Sequence, residues 1–107
     1  MTTFDERERA AEGKFVHDEE MVFRARVRRD RQLGLWAAQL LGKGADAASA
    51  YADALVAMEV TKGSEAGIVA KILQDLAAVG IFKSDTEVHA KMDMLLGEAI
   101  ASLKSPV

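Results

Sequence analysis

Apolar residues recur with a helical period through the last two-thirds of this chain and thin out towards its start. Leu33, Trp36, Ala37, Leu40 and Leu41 fall at i, i+3, i+4, i+7 and i+8, one helical face turned to a core. Gly42 and Gly44 end that run, as glycines beyond a helix C-terminus do. Upstream, no proline interrupts the pattern as far as Thr3, and alanine, glutamate and arginine dominate, so one long helix is predicted from near the N-terminus to Leu41. Gly13 and Gly34 are its weak points, each costing about 1 kcal/mol relative to alanine in a helix interior. Gly13 in particular leaves the first three turns free to fray or hinge.

Asp46 is placed to cap a second helix with the stripe Ala47, Tyr51, Leu55 and Met58, ending in the segment TKGSE. Ser64 can cap a third, whose face is Ile68, Val69, Ile72, Leu73, Leu76 and Val79, with Gly80 closing it. Ser84 followed by Glu87 is a capping box for a fourth, with Phe82 placed to pack against the first turn as a hydrophobic staple. Val88, Met92, Leu95, Leu96, Ala99 and Leu103 make its stripe, and Pro106 ends it. Short connections between these helices predict an all-α, up-down four-helix bundle with a long first helix, preceded by an N-terminal extension. The division expected is a segment 1–18, helical or disordered when free, and a bundle over 19–107.

Length allows one core and not two. The absence of cysteine removes thiolate chemistry and disulfides, and fits a reducing compartment, so a cytoplasmic location is expected. No apolar run reaches the roughly 20 residues of a membrane span, and the charged start lacks the apolar core of a signal peptide. Net charge is −3, but all seven arginines lie at or before Arg31. Residues 1–32 balance eight acids with eight bases, whereas residues 33–107 set nine acids against six lysines.

The first residues raise the sharpest question. Phe4 and Phe15 are eleven residues apart, so on a helix both rings face one way, roughly 16 Å apart along the axis. Ala11 and Val22 extend that stripe, but Glu8 and Asp18 break it, which makes it poor material for a dry internal core. Ion pairs Asp5/Arg9 and Glu20/Arg24, with the acid four residues ahead of the base, support a helix without a core. Pattern alone leaves two readings open: a solvated extension, or a recognition helix anchored by Phe4 and Phe15 with Arg7, Arg9 and Lys14 making ion pairs.

RARVRRDR suggests nucleic acid, yet only Arg24, Arg28 and Arg31 share one side, while Glu19, Glu20 and Asp30 would repel phosphate. A salt-bridged helix face is the better account, and no nucleic-acid partner is expected. His17 and His89 stand in no metal-ligating spacing, and GKGAD lacks the spacing of a phosphate-binding loop. KMDMLL is read as core methionines. No catalytic residue, metal or cofactor can be named, so the chain is not read as an enzyme.

The segments TTFDERERAAEGKFVHDEE, FRARVRRDRQLGLWAAQLLG, DAASAYADALVAME and HAKMDMLLGEA, in that order, resemble the zeta subunit family of alphaproteobacterial F-type ATP synthases over essentially the whole chain. Asp30 and Gln32 depart from the asparagine and the apolar or basic residue expected there, and VTKGSEAG is less acidic than expected. The resemblance implies a four-helix bundle that inhibits ATP hydrolysis by the synthase. Its N-terminal segment would insert at a catalytic interface of the head formed with the alpha, beta and gamma subunits. It further implies a cytoplasmic protein peripheral to the membrane-bound synthase, with no membrane insertion. The implied partner-binding residues are Phe4 and Phe15 in apolar pockets, Arg7, Arg9 and Lys14 on acidic groups, and Glu6, Glu8 and Glu12 on basic ones. The alternative is a bundle that binds a small ligand such as an adenine nucleotide, weakly, with the N-terminal helix playing no part.

Overall fold

The computed structural model describes residues 19–63 and 65–104. Four helices occupy them: α1 (Glu19–Leu40), α2 (Ala45–Lys62), α3 (Glu65–Ala78) and α4 (Asp85–Lys104). The all-α bundle expected from the pattern is what the chain forms. The part of the predicted first helix before Glu19, the Ser64 cap and the terminal Pro106 lie outside the described residues.

Helix ends follow the local chemistry. Beyond α1, the amide of Lys43 donates to the Ala38 carbonyl and that of Gly42 to Gln39, a Schellman pair that needs the positive φ of 76° at Gly42. The same pair closes α3, with Ile81 donating to Leu76 and Gly80 to Ala77. At α2 the amide of Gly63 donates to the Glu59 and Met58 carbonyls. Ser84 and Glu87 form the predicted capping box, each side chain accepting from the other's backbone amide at 3.0 and 3.1 Å.

Three local expectations are corrected. Gly44, not Asp46, is the N-cap of α2, and Asp46 sits inside the first turn, where a carboxylate still complements the helix dipole. Ala47 is exposed and Ala52 is buried in its place. Phe82 is 80% exposed and makes no staple, because the Gly80 turn carries it away from the bundle and the partly buried Ile81 packs instead. Val79, placed on the predicted face of α3, and Met94, read as a core methionine, are likewise exposed.

The helices run alternately up and down. Arg29, Arg31 and Gly34 of α1 meet Glu59, Asp53 and Ala52 of α2, and Arg28 and Trp36 meet Ser102 and Lys91 of α4, so α1 is antiparallel to both. The backbones of α1 and α3 each come close to the other three helices, whereas no such close approach joins α2 and α4 among the described residues. The core lies where these four faces converge: Leu33 and Ala37 from α1, Leu55 from α2, Ile68, Val69, Ile72 and Leu76 from α3, and Val88, Met92 and Leu95 from α4. Gly34 lies at a close approach of α1 and α2. A Cβ there would come 2.6 Å from the Ala52 Cα, so glycine sets the spacing instead of weakening the helix.

Candidate functional site

The sequence-predicted partner residues, Phe4, Glu6, Arg7, Glu8, Arg9, Glu12, Lys14 and Phe15, all lie outside the described residues, as does His17. What the structure supplies is the platform that leads to them. Leu33 is the first residue of the main apolar cluster, and upstream of it α1 becomes progressively more polar and exposed. Ala25 is the last buried apolar residue towards the start of α1, Phe23 is 43% exposed, and Glu20 pairs with Arg24 at 2.6 Å as the spacing predicted.

Arg24, Arg28 and Arg31 do share one side. Together with Phe23, Val27, Leu95, Ala99 and Leu103 they line an open groove of about 730 Å³ between α1 and α4. Every one of these arginines is already engaged: Arg24 with Glu20, Arg28 with the Ser102 hydroxyl, Arg31 with Asp53 and, at 3.3 Å, with Ser49. The face is thus partly salt-bridged: Arg24 and Arg31 meet the carboxylates of Glu20 and Asp53, and Arg28 meets a neutral hydroxyl.

Sequence reasoning missed what Arg29 does. It is 2% exposed, and its guanidinium donates from Nε to Asp30 Oδ1 at 2.9 Å, from Nη2 to Glu59 Oε1 at 3.1 Å and from Nη1 to Glu65 Oε1 at 2.7 Å. Burial works against the guanidinium, but the bonds to Asp30 and Glu65 more than offset it, so its pKa is raised and it stays charged. Asp30 is fully buried, and Glu59 is 5% exposed. A usable signal was present: Arg29 and Asp30 stand four and three residues before Leu33, on the upstream extension of its own stripe.

Elsewhere the polar groups hold the scaffold. The Tyr51 hydroxyl donates to Asp75 at 2.8 Å, and burial followed by that carboxylate raises the phenol well above its ordinary pKa. Lys71 bridges to the same Asp75 and lies over the Tyr51 ring. His89 is raised by the Asp85 backbone carbonyl and side chain and faces Asp85, four residues earlier, more closely than Asp93. Among the described residues no group of three or more potential ligands could hold a metal, and no helix is long and apolar enough to cross a membrane.

The platform and its polar leader match one family model, ATPase inhibitor subunit zeta, over residues 1–102. The chain belongs to the ATPase inhibitor subunit zeta family. No curated protein matches it at a significant level. Membership makes this an inhibitor subunit of the F-type ATP synthase and not a catalytic one, and it implies binding to that synthase. The match includes both the four-helix platform and the N-terminal segment that precedes it.

Proposed function

We propose that this zeta-family subunit inhibits ATP hydrolysis by inserting residues 1–18 at a catalytic interface of the synthase head, among the alpha, beta and gamma subunits. The single observation that carries this reading is a division along the chain. Among the described residues every member of the main core cluster lies at or after Leu33, while the family match begins at residue 1. An aromatic pair on a stripe broken by Glu8 and Asp18 is poor material for a dry internal core and suits the surface of another protein. Phe4 and Phe15 fill pockets eleven residues apart, Arg7, Arg9 and Lys14 pair with acids, and Glu8 meets a basic group.

The mechanism is a wedge. The catalytic head must open and close an interface in every turnover, and a helix seated in one closed state lowers its free energy relative to the others. Hydrolysis then stops without chemistry by the inhibitor. The protein acts from the cytoplasmic side, peripheral to the membrane-embedded part of the enzyme.

ATPase inhibition by the full chain, by a chain lacking residues 1–14 and by Phe4→Ala/Phe15→Ala tests this directly. The truncated chain should not inhibit, and loss of a buried aromatic anchor, at roughly 2 kcal/mol or more, should raise the half-inhibiting concentration about 30-fold or more. Undiminished inhibition by the truncated chain would refute the wedge.

A further inference from the structure

Asp30 and Glu59 are buried carboxyl groups that meet at one guanidinium. Arg29 brings a single positive charge, and its nitrogens are all committed: Nε to Asp30, Nη2 to Glu59, Nη1 to Glu65. Three carboxyls thus share one cation. Asp30 Oδ2 is sealed from solvent and receives no hydrogen bond, and Arg29 gathers the Asp30 and Glu59 carboxyls on its Nε and Nη2. Two ionised carboxylates at one buried guanidinium repel each other, and a buried acceptor with no donor is costly, so a proton on Asp30 relieves both.

We infer that Asp30 is held as the neutral acid, donating its Oδ2–H to Glu59, so that one buried proton completes the Arg29 cluster and clamps α1 to the corner between α2 and α3. Glu59 stands in the last turn of α2 and Glu65 is the first residue of α3, so the cluster straddles the turn at Gly63. The groups facing Asp30 are Arg29 on its own helix and Glu59 on α2, with Glu65 of α3 reaching the pair through the guanidinium.

Burial, first, and Glu59, second, push Asp30 up to about 7 against the opposing pull of Arg29. A carboxyl raised above its unfolded value of about 4 contributes stability that is complete below that value and lost as pH rises towards 7. The clamp therefore loosens as the medium passes from mildly acidic to neutral.

Asp30→Asn is the discriminating variant, because asparagine keeps the shape, places an N–H donor where the O–H stands and does not titrate. Folding constants of the full wild-type chain and of Asp30→Asn, measured by urea unfolding from pH 5 to 8, cancel in their ratio the titrations of groups outside the Arg29 cluster. That ratio should fall with pH, approaching tenfold per unit between about 5 and 7, and level off above. A ratio independent of pH would overturn the inference. Carboxyl carbon-13 shifts of the wild type supply a second reading that needs no variant. The Asp30 carboxyl should titrate near neutrality, and titration below pH 5 would overturn it equally.

Discussion

A methyl group added at Gly34 would meet the Ala52 Cα at 2.6 Å and the Ala52 Cβ and Leu55 Cδ1 at 3.1 Å. Helix propensity alone favours alanine there by about 1 kcal/mol, but the nearest obstacle is backbone, which cannot rotate aside. Overpacking should win. Gly34→Ala is expected to lose about 1–3 kcal/mol in urea unfolding, with α1 and α2 pushed apart. Arg29 presents the opposite case, an interaction that costs most when half of it is removed. Arg29→Ala strands Asp30 and Glu59 without their cation, and the expected loss is about 3–5 kcal/mol by the same measurement. Replacing the exposed Arg26 should change stability by less than about 0.5 kcal/mol. These contrasts were hidden in the sequence, where Arg26 and Arg29 are two arginines of one charged run.

Each helix is delimited by two or three residues whose effect is local. Ser84 and Glu87 bond reciprocally at the start of α4, so Ser84→Ala should cost about 0.5–2 kcal/mol, read as a lower thermal midpoint. Phe82, two residues earlier, is the counterexample. It is exposed, so Phe82→Ser should leave the midpoint nearly unchanged, where a staple would have lowered it. The capping box was legible because its partners are three residues apart and its bonds do not depend on the rest of the fold. The staple was not, because a side chain's direction beyond a turn depends on what the turn packs against. The same logic separates Asp46 from Gly44: either residue type starts a helix, and the path of the α1–α2 connection chose between them.

At the scale of the whole molecule, α1 is held between α2 and α4, and α3 closes the core against all three. Four faces sharing one cluster should unfold together. Fluorescence of Trp36, packed against that cluster and under Lys91, is expected to follow the same transition as far-ultraviolet circular dichroism. Removal of residues 1–14 should leave that transition's midpoint in place, since carboxylates break the apolar stripe of the first residues and make it poor core material.

The sequence by itself determined the helix count, most of the boundaries, most of the core-facing residues of α3 and α4, and the family, because each is written in local periodicity, caps or order of motifs. It also marked residues 1–18 as lacking apolar content for a core of their own. Tertiary structure alone decided which arginine is buried, why Gly34 must be glycine, and that the distant carboxyls of Asp30 and Glu59 share one guanidinium. Those facts depend on the distance between α1 and α2 and on the corner where α3 joins them. A charge pattern along a chain gives the face of a helix, but only packing gives that face a dielectric environment and a partner.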